Sequence, residues 1–137
     1  MEWIQVHGAS MAPFLASGDS VAVEWWPEDR VDHSSFAAGQ IVIARGVEGE
    51  WLVHRLVGSR RLQLKGDASP VADNASEPEI WGKVVAVRSR GRTKPWQPGA
   101  LDRGIAFFSA LRLSGRFFSP VSRAGVECLG RLRRVLS

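Results

Sequence analysis

Over the first hundred residues the apolar side chains repeat every second position and nowhere keep a useful helical period, which confines this part of the chain to extended structure. In SVAVEWW, residues 20–26, Val21, Val23 and Trp25 fall on one face, and Ala22, Glu24 and Trp26 on the other. QIVIAR, residues 40–45, follows Gly39 and is rich in β-branched side chains. Over residues 50–57, Trp51, Val53, Arg55 and Val57 oppose Leu52, His54 and Leu56. RLQLK at 61–65 and IWGKVVAVR at 80–88 complete the strands, with Gly82 marking a bend or bulge. Turn residues separate them: Gly18-Asp19, Pro27 to Asp29, Gly46 to Gly49 and Gly66-Asp67. A chain of 137 residues patterned this way is expected to form one mainly β domain with an appendage, large enough to bury a core without disulfides.

The appendage is C-terminal. Residues 89–101, SRGRTKPWQPGAL, hold two prolines and two glycines and mark the join. The expected division is a β domain over 1–92, a linker over 93–101 and a helical tail over 102–137. Ile105, Phe108 and Leu111 recur at helical spacing, weakened by Gly104, Ser114 and Gly115. A cleaner helix follows, with Ser119 as cap and Pro120 at its first position. There Val121, Ala124, Cys128, Leu132 and Val135 make an apolar stripe opposite Arg123, Glu127, Arg131 and Arg134. Such a helix suits a membrane surface, a dock on its own body or a second subunit.

Charge follows the same division. Residues 1–101 hold 11 Lys and Arg against 12 Asp and Glu, whereas residues 102–137 hold seven Arg against two acids, Asp102 and Glu127. The net +4 of the chain therefore belongs to the tail. A cationic tail on a near-neutral body suits anionic lipid or an acidic partner as well as nucleic acid, or is simply a solvated helix face; the expectation adopted is a peripheral membrane contact and no nucleic acid. No apolar run is long enough for a spanning helix, and the N-terminal segment lacks the pattern of a secretory signal, so a peripheral-membrane or cytoplasmic place is expected. One cysteine, Cys128, excludes an internal disulfide and a Cys-rich zinc site, and His7, His33 and His54 lack metal-ligand spacing. Neither metal nor organic cofactor is expected.

Three strings carry candidate chemistry. In GASMAPFLASGDSVAV, residues 8–23, Pro13 with Gly8 and Gly18 forms an irregular loop that can present Ser10. A serine hydroxyl becomes a nucleophile only when a base takes its proton; otherwise Ser10 is a turn residue. In WLVHRLVG, residues 51–58, His54 shares an apolar face with Leu52 and Leu56, a setting that favours neutral imidazole, the form that acts as a base. The alternative is a core histidine with satisfied hydrogen bonds. In LKGDASPVAD, residues 64–73, Asp67 sits in a Gly-Asp turn and Asp73 follows six residues on. An aspartate can orient a histidine base, or simply be a solvated turn residue.

In this order and on a β-rich body, these strings resemble the type I signal peptidase family, most closely its archaeal and endoplasmic-reticulum branch. The matching residues are Ser10-Met11-Ala12-Pro13, Gly18-Asp19, His54-Arg55, Lys65-Gly66-Asp67 with Asp73, and Gly82-Lys83-Val84. The resemblance covers about residues 6–88 and implies a coiled β-sheet or partial barrel. It implies Ser10 as nucleophile, His54 as general base and Asp73 as the orienting acid. Asp67, Arg55 and Lys65 become auxiliary residues, and Gly8, Ala9, Ser10, Met11 and Pro13 line the substrate and oxyanion site. Two features depart from the family. No spanning helix precedes the serine box, so the basic tail is expected to supply a membrane contact. The serine that often stands two residues before the nucleophile is replaced by Gly8, which leaves the backbone N–H of Ser10 to carry more of the oxyanion.

The resemblance thus implies a serine endopeptidase that cleaves signal or leader peptides after small residues through an acyl-enzyme, with a peptide or preprotein as substrate. Two other readings compete: a self-cleaving regulator with Lys65 as base, and a catalytically silent binding module. Trp25 and Trp26 are expected either to rim the site or to pack in the core.

Overall fold

The period-two segments become strands. The computed structural model describes residues 1–26, 36–46, 48–57, 63–68, 79–114 and 119–136. Strands β1 (Glu2–Gln5), β2 (Ser20–Trp25), β3 (Ile41–Arg45), β4 (Trp51–Val57), β5 (Gln63–Lys65), β6 (Glu79–Ser89) and β7 (Arg92–Pro95) precede helices α1 (Ala100–Ser114) and α2 (Ser119–Leu136). The strands form one antiparallel, unclosed sheet in the order β1-β2-β6-β3-β4-β5, with β7 also paired to β6. The mainly β class with a helical C-terminal part is the one the alternation implied. Positions 61 and 62 and the turn at 27–29 lie outside the described residues.

Two strands carry no alternation signal. All four residues of β7 are exposed, so backbone pairing to β6 forms it rather than apolar burial. The stretch read as a linker at 93–101 therefore starts inside β7 and ends inside α1. β1, with only Trp3 and Ile4 partly buried, is likewise held by its register on β2. Between β6 and β7 a two-residue turn places Arg90 at φ 51° and Gly91 at φ 75°. Two successive positive φ values match the right-handed twist of a hairpin, but the left-handed region costs a non-glycine residue on the order of 1 kcal/mol.

β6 is the long central strand. Opposite β2 its register shifts between Ala22 and Val23, and opposite β3 between Ile43 and Ala44, so β6 carries an extra residue in each ladder. Gly82 sits beside the second irregularity, as anticipated. A Cβ there would stand 2.8 Å from both the Glu24 carbonyl oxygen and Val23 Cγ1, so close strand approach requires glycine.

Strand alternation divides the core. One cluster joins Val21, Val23, Ile41, Ile43, Val84 and Val87 to Val6, Met11, Phe14 and Leu15 from the loop after β1, and to Trp96. Full burial of side chains such as Phe14 and Leu15 contributes roughly 1.5–3 kcal/mol each, which fastens the loop to the sheet. The other cluster holds Val42, Ala44, Leu56, Leu64 and Ile80, with Trp26 and Phe36 against it. Trp26 packs edge-on to Phe36, while Trp25 meets Trp51 edge-on and donates Nε1–H to Glu2. Of the two roles weighed for this pair, both take core packing, Trp25 against the first cluster and Trp26 against the second.

The helices pair with each other and dock on the sheet domain. Gly125 lies under the Phe108 ring and Gly104 under Leu129, close approaches that a Cβ would obstruct. α2 docks by the face opposite to the apolar stripe. Val126 and Gly130 are buried, and Gly130 rests on Pro13. Arg134 donates to the Phe14 carbonyl at 2.8 Å, Asp19 at 2.9 Å and Ser89 at 3.2 Å. Ala124, Cys128, Leu132 and Val135 face outward, while the side chains of Leu111 and Val121 lie outside the described residues. Of the three placements the pattern allowed, the structure shows a dock on the body, made by Val126, Gly130 and arginine side chains rather than by the apolar stripe.

Burial works against the Asp19 carboxylate, yet the Ala16 N–H, Ser89 and Arg134 together hold its pKa below the ordinary aspartate value. A depressed folded pKa adds stability above the unfolded value, about 3.9, and that stability is lost as pH falls through the folded one. The melting-temperature gap between wild type and Asp19→Asn is expected to be constant above about pH 5 and to close progressively below about pH 4. A gap unchanged in strong acid would contradict the Asp19–Arg134 coupling.

Candidate active site

The loop after β1 crosses a sheet face and meets the turn after β5, at the opposite end of the strand order. The Ala68 N–H donates to the Ser10 carbonyl at 2.8 Å and ties the two together. Two local bonds shape the loop, Ala12 N–H to Ala9 O and Leu15 N–H to Met11 O, each 3.0 Å. Met11 is buried and anchors it, Ala12-Pro13 is cis, and Gly8, Ala9 and Ser10 stay exposed. The Ser10 side chain is therefore presented at the surface by a loop whose base is fixed in the core.

β4 brings the second group. His54, paired with Val42 across the β3–β4 ladder, is 6% exposed. Its Nε2 lies 3.1 Å from Ser10 Oγ, 44 residues away in sequence. That distance lies within hydrogen-bond reach and suits transfer of the serine proton to the imidazole. Gly66 makes the approach possible: a Cβ there would stand 2.6 Å from the Ser10 carbonyl oxygen, 2.9 Å from Ser10 Cβ and 3.2 Å from His54 Nε2. The glycine of the Lys-Gly-Asp string is thus required by space beside the serine and histidine.

Arg55, the next residue of β4, points to the other face and is fully buried. Its Nε and Nη2 donate to the two oxygens of Asp67 at 2.9 and 3.0 Å, and its Nη1 donates to the Gly39 carbonyl at 3.0 Å and to Asp102 at 2.9 Å. Burial opposes the guanidinium charge, but Asp67 and then Asp102 outweigh it and raise the Arg55 pKa above its ordinary value. Asp102 also accepts from Arg133 Nε at 3.0 Å and from the Gly99 N–H at 2.9 Å, and so caps α1. Two cations and two anions thus close a charge-balanced network. Arg55 and Arg133 both lie over the Phe14 ring, at 5.4 and 5.9 Å. Gly39, at φ +96°, passes under the start of α1, where a Cβ would lie 2.9 Å from the Asp102 backbone.

The sequence-named residues therefore sort by contact. Ser10 and His54 meet. Asp67 binds Arg55 in bidentate fashion and so fixes the turn that follows β5. Lys65 is buried and donates from Nζ to the Gly66 carbonyl at 3.1 Å. Asp73 lies outside the described residues. Gly8 has φ +82° with open space where a Cβ would stand, so its backbone conformation, and not crowding, disfavours a serine there. The sequence reading missed Asp102 and Arg133 as partners of the His-Arg strand. The available signal was Asp102, one of only two acids in a seven-arginine tail. α2 also walls a cavity of about 220 Å³ beside Pro13, Asp67 and Ala68.

Comparison of the chain with protein-family models, with curated proteins and with solved structures found no match.

Two substitutions separate geometry from stability. Gly66→Ala is expected to displace Ser10 from His54 and abolish any Ser10-dependent reaction while the protein stays folded, checked by activity beside circular dichroism. Asp102→Ala leaves Arg55 short of a buried partner and is expected to cost about 3–5 kcal/mol in denaturant unfolding. A loss under about 1 kcal/mol would contradict the network's structural weight.

Proposed function

We propose that the protein is a serine endopeptidase of the signal-peptidase type, cleaving leader or signal peptides after small residues. The observation that carries this reading is the exposed Ser10 hydroxyl 3.1 Å from the buried His54 Nε2. Ser10 Oγ attacks the scissile carbonyl as His54 takes its proton. The tetrahedral oxyanion is met by the backbone N–H of Ser10, and His54 returns the proton to the leaving amine. Water, activated by His54, then releases the acyl group. Asp73 would orient the imidazole, a role that rests on its spacing from Lys65-Gly66-Asp67. An extended peptide would be held by main-chain hydrogen bonds to a sheet edge.

Within this reading His54 is favoured over Lys65 as base, because the Lys65 amine donates to the Gly66 carbonyl. That arrangement weighs against the self-cleaving regulator. The silent binding module shares the same fold and differs only in lacking turnover.

Incubation with a panel of leader peptides, followed by mass spectrometry of the products, tests the proposal. Cuts are expected after small residues, with Ser10→Ala and His54→Ala each lowering kcat about 10⁴-fold or more without unfolding. Full activity in Ser10→Ala would refute the mechanism, and no cut in any peptide by folded wild type would favour the silent module.

A further inference from the structure

A groove of about 590 Å³ lies between the β6–β7 hairpin and the last turn of α2. Arg90, Arg92 and Lys94 line its hairpin side and Val135 and Leu136 its helical side, and among the described residues no acidic one lines it. The three hairpin cations are exposed, and among the described residues none of them pairs with a carboxylate. The nearby carboxylates Asp19 and Asp102 are already engaged by Arg134 and Arg133, which complete the groove wall. Arg90 stands at a left-handed turn position where asparagine or glycine would be relaxed, so a cation occupies the hairpin tip despite backbone strain.

The apolar side of the same surface is equally unpartnered. Because α2 docks by its opposite face, Leu132, Val135 and Leu136 are left 44%, 80% and 62% exposed. A soluble acidic partner would account for the cations but not for the apolar side chains beside them. An apolar protein partner would account for the reverse. A bilayer with anionic lipids satisfies both, its phosphates meeting the hairpin and its acyl boundary receiving the end of α2. No helix among the described residues is long and apolar enough to cross a membrane.

We infer that the β6–β7 hairpin and the C-terminal end of α2 together form a docking surface for an anionic membrane. The inference is independent of the Ser10 chemistry.

The test is co-sedimentation of the full chain with vesicles of phosphatidylcholine alone or with about one third phosphatidylglycerol, at low and high salt. Binding is expected to the anionic vesicles, weakening as added salt shortens the Debye length. The triple variant Arg90→Gln, Arg92→Gln, Lys94→Gln should lower partitioning on the order of a hundredfold. Val135→Ser with Leu136→Ser should remove the salt-resistant remainder. Both variants change exposed residues, and unchanged melting curves would show that they remain folded. The inference is overturned by no binding to either vesicle, by equal binding to both, or by unaltered binding of the triple variant. It is also overturned if wild type binds a soluble polyanion but no vesicle, which assigns the cations to an acidic macromolecule. A mass in light scattering that halves in the serine variant, without vesicle binding by wild type, assigns the apolar face to a second copy.

Discussion

The buried guanidinium of Arg55 is the constraint around which the rest of the molecule is arranged. An arginine inside a sheet domain is tolerable only if its donors are met by acceptors and its charge by carboxylates. Asp67 meets it from the turn after β5, Gly39 from the approach to β3, and Asp102 from α1. These three segments are distant in sequence and could not take other positions without stranding the charge. Through Asp102 the demand extends to Arg133, so the C-terminal helices belong to the same polar network as the strand that carries His54. Such ion pairs add less net stability than their count implies, and their main effect is to specify one arrangement over others.

That specification sets the candidate site. Alternation along β4 sends adjacent side chains to opposite faces: Arg55 locks the strand to the turn at 66–68, and His54 faces the serine. The same turn bonds the Ser10 backbone through Ala68 and leaves room for it at Gly66. The serine–histidine contact is therefore held by backbone and buried charge, and not by the exposed side chains around it. α2 reinforces the arrangement from outside, resting Gly130 on Pro13 and bonding the Phe14 carbonyl through Arg134.

The strands of the core were legible because period-two apolar patterning and turn residues act locally. The Ser10 and His54 boxes were legible because each string has unusual local chemistry. β7 was not, because its residues are exposed and it forms by pairing with β6 rather than by apolar burial. The Arg55–Asp102 contact was not legible either, since it spans 47 residues and joins segments of different composition. The orientation of α2 escaped for a physical reason: a hydrophobic pattern predicts docking by the apolar stripe, whereas this helix docks by the opposite face, through Val126, Gly130 and guanidinium bonds to a carboxylate and a carbonyl. Its apolar stripe is therefore left outward, beside a cationic hairpin.

The most direct test of the account is covalent labelling with a fluorophosphonate, which reacts with a serine only where a neighbouring base activates it. Peptide mapping by mass spectrometry locates the adduct. The expected result is one adduct, on Ser10, formed by wild type and lost in a folded His54→Ala variant. Labelling of other serines with Ser10 unmodified, or labelling of Ser10 at the same rate without His54, would contradict it.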